Sequence, residues 1–259
     1  MKKELFGICI LFVIVSLIFF YPIVSGFIPF PGDLLVGNHE PYKSYSYRGY
    51  QPGGVPHKAQ GSDVIRQLYP WKFLTIEELK SGNISLWNPY SFSGNPLMAN
   101  MQSGLFYPIN ILFIIAPFLT VWSAYILLIP ILSGFFTYLF LKEIKLTKFA
   151  SFFGGFIFSF SAFMVVWMEY GNLGHTFLWM PLVLLLVRRF IYNQGLVKLL
   201  FLIFVLCLSI FAGYIQLTMY VYIFALCFVF FHFLREDKKR ERLKTYLLLI
   251  ASFIVPLFL

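Results

Sequence analysis

Runs of uncharged, apolar residues about as long as a bilayer is thick recur along this chain, separated by turns that are alternately basic and free of basic residues. A helix needs about 20 predominantly apolar residues to cross the hydrocarbon core. Such runs cover residues 5–27, 121–141, 149–168, 175–187, 199–212 and 214–234, and a further one, 245–259, reaches the last residue. Only 12% of the 259 residues are charged and 59% are apolar, so the charged share is about half that of an ordinary soluble domain. This excludes a soluble enzyme, a disordered tail and a nucleic-acid module. The net charge of +9 would otherwise suggest an acidic partner. An all-α polytopic membrane protein is expected.

The first run, after Met1-Lys2-Lys3-Glu4, has the look of a signal peptide, but no Ala-x-Ala-like cleavage site follows and its length suffices for an uncleaved span. Cys9, Cys207 and Cys227 lie inside apolar runs, without a second cysteine or a histidine at metal-ligand spacing, and read as small buried hydrophobes.

Lys and Arg accumulate in cytoplasmic loops. Two precede the first run, three lie in 142–148, three in 188–198 and six in 235–244, whereas the turns 169–174 and 213 have none. The alternation places the N-terminus in the cytoplasm and residues 28–104, 169–174 and 213 outside. Residues 105–141 would span roughly 55 Å as helix, too long for one crossing. A second crossing would put the basic 142–148 loop outside, so 105–119, interrupted by Pro108 and Pro117, is expected to be interfacial or re-entrant. Residues 245–259 would reach only roughly 22 Å of a core about 30 Å thick, which favours a fragment of a longer protein.

The outer loop, 28–104, is far longer than a connection requires and is too aromatic and apolar to be disordered. A helix is expected to begin at Ser62-Asp63, to be broken by Pro70 and to resume from Trp71 to Lys80, as an amphipathic pair on the membrane surface with Tyr69 and Trp71 at the interface. Asn88, Asn95, Asn100, Gln102 and Asn110, beside the rings of Trp87 and Tyr90, suit the hydroxyl groups of a sugar; equally, such amides satisfy the backbone of a folded loop. Asp33 and Asp63 are candidate general bases or contacts for a divalent ion; the ordinary reading is a turn for Asp33 and a helix cap for Asp63. Glu169, His175, Tyr214 and Gln216 bring further polar groups to the same face. His39 and His57 have no metal-ligand spacing, and His232 falls at the cytoplasmic end.

The ordered series Ser62-Asp63-Val64-Ile65-Arg66-Gln67-Leu68-Tyr69-Pro70-Trp71, Leu86-Trp87-Asn88-Pro89-Tyr90, Gln102-Ser103 and Phe106-Tyr107-Pro108-Ile109-Asn110, with Pro181-Leu182 and Gly213-Tyr214-Ile215-Gln216 later, resembles the bacterial YfhO-like membrane proteins of the GT-C class of glycosyltransferases. The resemblance implies a GT-C-like helical bundle in the bacterial plasma membrane. It would move a sugar from a polyprenyl-phosphate carrier to a cell-envelope polymer or lipid on the outer face. It also implies an acidic residue of the first outer loop as base or metal contact: Asp63, which fits the motif best, or Asp33, just after the first span. Arg66, Gln67, Trp87, Asn88, Tyr90, Asn100, Gln102, Glu169, His175 and Gln216 are the substrate-binding candidates, and Mg²⁺ or Mn²⁺ is the expected ion where one is used. Arg66, Lys72, Arg48 or Lys58 would meet the carrier phosphate. This chain departs from the family in having no adjacent acidic pair and none of the later spans or C-terminal domain of full-length relatives. The alternatives are a transporter or flippase for lipid-linked sugars, which needs polar residues at mid-membrane where Phe, Leu, Ile and Val prevail, and a non-catalytic assembly subunit.

Overall fold

The computed structural model describes residues 2–46, 51–54, 62–237 and 239–258. In chain order its α-helices are α1 (Lys2–Phe19), α2 (Leu34–Asn38), α3 (Tyr69–Lys80), α4 (Leu112–Ile115), α5 (Phe118–Glu143), α6 (Lys148–Ser159), α7 (Ala162–Met168), α8 (Asn172–Phe177), α9 (Met180–Tyr192), α10 (Leu196–Phe211), α11 (Ile215–Leu234) and α12 (Lys239–Ile254). Strand among the described residues is one short antiparallel hairpin, β1 (Trp87–Asn88) against β2 (Asn95–Pro96), with Trp87 opposite Pro96. Residues 118–143, 172–192 and 215–234 are long and apolar enough to cross a membrane on their own, and the bent pair α6–α7 makes a fourth if it counts as one span. This mostly helical architecture is compatible with an all-α membrane protein.

Several apolar runs fold differently from the continuous helices expected of them. The first stops as α-helix at Phe19; residues 21–25 form a 3-10 turn around Pro22, closed by Gly26 in the left-handed region at φ 85°. The run 149–168 breaks at Ser161, whose extended backbone and hydroxyl, accepting from Met164 N–H at 3.4 Å, restart the helix at an angle of 47°. The run 175–187 is part of a longer stretch, 172–192. Its start is hidden in the sequence by Asn172, His175 and Thr176, all of which are buried. Pro181 sits in the first turn of α9, where a missing N–H costs nothing.

Residues Pro181–Val187 of α9 are buried on every side, so α9 runs through the centre of the bundle, among Ile126 and Ile129 of α5, Val205 and Leu206 of α10, and Val221 and Ala225 of α11. Close packing of α1, α5 and α6 depends on small residues. A Cβ added to Gly155 would lie 2.6 Å from the backbone oxygen of Gly134, and one added to Gly134 would lie 2.4 Å from the ring of Phe12.

The loops collect at two ends. At one, Glu4 accepts from Tyr138 and pairs with Lys148 at 2.9 Å, Arg189 pairs with Glu143 at 2.8 Å, and Arg242 donates to Ile191 O. The basic loops therefore meet there. At the other end, Trp122 Nε1–H donates to Pro29 O at 3.2 Å, and the Gly213 turn presses on the backbone at Met101 and Gln102.

The helix beginning near residue 62 is not broken at Pro70. Residues Val64–Leu68 form a π turn in which Tyr69 N–H reaches back to Val64 O, and α3 continues directly. The wider turn removes the clash between a proline ring and the carbonyl four residues earlier. Nor does this helix merely lie on a surface, since Val64, Leu68 and Ile76 join the main core and Lys72 is 2% exposed. Residues 108–115 make a 3-10 turn and one α turn before Pro117 opens α5.

Candidate functional site

Two carboxylates distant in sequence, Asp33 and Glu169, line one cavity of about 310 Å³ at the end of the bundle opposite the basic loops. Asp33 begins α2, after the turn Pro29–Gly32. That turn is fixed by the Trp122 bond to Pro29 O and by Phe30, whose ring lies 5.7 Å from that of Trp122 and 5.1 Å from that of Tyr69. Glu169 follows α7 directly, and Gly171 turns the chain at φ 70°. A Cβ at Gly171 would meet Tyr125 at 2.8 Å, so only glycine lets this turn lie so close to α5. The same helix thus seats both acids. The remaining lining is largely apolar, including Phe19, Phe20, Ile126, Val165 and Met168.

Beneath the outer loop lies a second, fully buried polar group. His175 Nε2 is 2.9 Å from Tyr125 O, which only accepts, so Nε2 carries the proton. Nδ1 is then an acceptor and takes the hydroxyl proton of Tyr107 at 2.9 Å, while Trp179 Nε1–H donates to Tyr107 Oη at 3.2 Å. Burial holds the Tyr107 phenol well above its ordinary pKa, which keeps this donor protonated. The Lys72 amine sits over the Tyr125 ring, 4.8 Å from its centroid, donating to Asn110 Oδ1 at 3.0 Å and to Ser103 O at 3.3 Å. Burial pushes its pKa down to about 7. These groups fasten 103–110 to the helices. Lys72 and His175, the expected phosphate and substrate contacts, are thus both buried and bonded to protein groups.

The amides divide in the same way. Asn88 is buried and accepts from Tyr90 N–H at 2.9 Å; Asn100 accepts from Gln102 N–H at 2.9 Å; Asn110 donates to Gly104 O at 2.6 Å. Each satisfies the loop's own backbone, the ordinary reading of that motif. Asp63, Arg66 and Gln67 are exposed, and Asp63 makes no side-chain cap bond. Trp87 and Tyr90 are exposed on the hairpin, Gln102 is half-buried, and Gln216 bonds Tyr220 at 2.9 Å. The structure brings Asp33 and Glu169 to one cavity, then, and leaves the candidates of the 62–71 motif on the surface.

Among the described residues no group of three or more His, Cys, Asp or Glu side chains could hold a metal. Arg48, His57 and Lys58 lie outside the described residues. Tyr107, Tyr125 and Trp179 were not legible as one network, because each looks in sequence like an ordinary interfacial aromatic. No family model, curated protein or solved structure matches the chain.

Proposed function

We propose that the chain acts as a membrane glycosyltransferase, with the Asp33–Glu169 cavity as its reaction centre. The donor would be a polyprenyl-phosphate sugar, and the acceptor a cell-envelope polymer or lipid. The observation that carries this reading is the pairing of two carboxylates with apolar walls in one cavity at the end of the bundle away from the basic loops. An amphipathic donor needs both kinds of wall, an apolar one for the prenyl chain and a polar one where the bond is exchanged. In the reaction, Asp33 takes the proton of an acceptor hydroxyl, whose oxygen attacks the anomeric carbon. The bond from that carbon to the phosphate oxygen breaks, and the polyprenyl phosphate leaves with its electron pair. Glu169 orients the hydroxyl.

Where the reaction uses Mg²⁺ or Mn²⁺, Asp33 and Glu169 would be the carboxylates of this cavity to hold it. Such ions are held by one or two carboxylates, with water and substrate phosphate completing the octahedron. A bound ion would neutralise charge on the departing phosphate. With the basic loops cytoplasmic by the Lys/Arg bias, the cavity faces outward from the bacterial plasma membrane. A transport function is less well supported, because the buried Asn172 and His175 lie at the start of the 172–192 span, and near the middle of the 118–143 span the buried polar groups are the hydroxyls of Ser133 and Thr137.

The reading is tested by supplying radiolabelled polyprenyl-phosphate sugars to membranes from cells that make the chain and from cells that do not. Label passing into an envelope polymer or lipid only with the chain supports it. Label that crosses the bilayer still attached to its carrier contradicts it in favour of transport.

A further inference from the structure

The opposite end of the bundle holds a cavity of about 500 Å³ with a different chemistry. Arg188 and Arg235 both face it, and each guanidinium is held over an aromatic ring, Arg188 at 4.9 Å from Tyr192 and Arg235 at 4.4 Å from Phe231. His232 lines the same cavity, its ring packed edge-on against Phe228 at 4.7 Å and Tyr192 at 6.1 Å. The neighbouring Arg189 is engaged with Glu143 at 2.8 Å and Arg242 with Ile191 O at 2.6 Å, so Arg188 and Arg235 are the guanidiniums directed at this space. On the same lining are Glu236, which is 3.8 Å from Arg242 Nε, and Asp237. Ile144, Ile191 and Phe228 make the wall toward the bundle apolar.

We propose that this cavity binds the headgroup of a membrane phospholipid. Two arginines fixed on aromatic faces present planar, multi-donor groups to a phosphodiester, which lysine would meet only as a point charge. The apolar wall lets acyl chains continue along the helices, as in basic pockets between transmembrane helices that hold lipid headgroups. Asp237 on the same lining matches an ammonium, so a zwitterionic headgroup such as phosphatidylethanolamine is met at both ends and a purely anionic one at its phosphate only. The site is independent of the Asp33–Glu169 cavity, and its proposal does not rest on the transferase reading.

The test is thermal unfolding of the delipidated protein in detergent with added phosphatidylethanolamine, phosphatidylglycerol, diacylglycerol of the same acyl chains, or inorganic phosphate. Saturating phosphatidylethanolamine should raise the midpoint by about 5 °C, phosphatidylglycerol by less, and diacylglycerol not at all. Arg188→Gln with Arg235→Gln should abolish the phospholipid shift, and Asp237→Asn should remove the preference for the zwitterionic lipid. An equal shift with diacylglycerol would show a nonspecific apolar effect, and an equal shift with inorganic phosphate a free-anion site; either overturns the proposal. These two comparisons need only the unaltered protein, so the proposal can fail even if the double variant does not fold.

Discussion

The hydroxyl of Tyr107 donates to Nδ1 of His175 at 2.9 Å, joining the 105–119 segment to the start of the buried 172–192 helix. Trp179 Nε1–H donates to the same oxygen. Tyr107→Phe would leave a buried acceptor and a buried donor without partners, at a cost of about 1–3 kcal/mol. Thermal unfolding in detergent should show the loss. Tyr90→Phe, at a residue 82% exposed, should change stability by less than about 0.5 kcal/mol.

Lys72 makes stability depend on pH. Its folded-state pKa is lowered by burial from the ordinary 10.5 to about 7. Between these values the unfolded chain binds a proton that the folded chain does not, so stability rises with pH. The contribution is complete above the unfolded pKa and is lost as pH falls through about 7. The difference in unfolding midpoint between the wild type and Lys72→Met should therefore move in favour of the wild type from pH 7 to 10 and flatten below pH 7. A difference independent of pH over that range would show that Lys72 titrates normally in the folded protein.

Helix content was legible from hydropathy because apolar run length sets it directly, and α5 and α11 fall close to the runs 121–141 and 214–234. The breaks were less legible. Ser161 reads as one more small residue in an apolar run until its hydroxyl is seen to accept from Met164 N–H, and Pro70 reads as a stop because a π turn leaves no signal in residue type. Asp33 and Glu169 could each be picked out as acids near span ends. Their common cavity depends on how the Pro29 and Gly171 turns seat on Trp122 and Tyr125, a tertiary relation that periodicity does not carry.

Helix crossing at Gly155 should be intolerant of even one methyl group. Its added Cβ would lie 2.6 Å from Gly134 O, a backbone atom that cannot move without shifting α5. Gly155→Ala should cost about 1–3 kcal/mol by overpacking, whereas Gly7→Ala, with nothing within 4 Å, should be tolerated. The comparison is read as unfolding midpoint and as the yield of folded protein after extraction.

The Lys/Arg bias of the loops predicts which end of the bundle faces the cytoplasm. In a background with Cys9, Cys207 and Cys227 replaced, cysteines placed at Lys142 or Lys198 should resist an impermeant maleimide in intact cells, and one at Tyr90 should react. Labelling at position 142 and not at position 90 would invert the orientation and place the Asp33–Glu169 cavity on the cytoplasmic side.

The most direct test of the central claim measures sugar transfer from the polyprenyl-phosphate donor in membranes carrying Asp33→Asn, Glu169→Gln or Asp63→Asn at equal protein level. The account predicts a fall of roughly 10²-fold or more for Asp33→Asn and a clear loss for Glu169→Gln. Asp63→Asn should remain near normal, because that carboxylate is exposed and caps no helix end. If both cavity acids hold an ion, chelation should abolish the wild-type activity and Mn²⁺ or Mg²⁺ should restore it. Near-normal transfer by Asp33→Asn together with loss in Asp63→Asn would contradict the account and move the reaction to the surface helix.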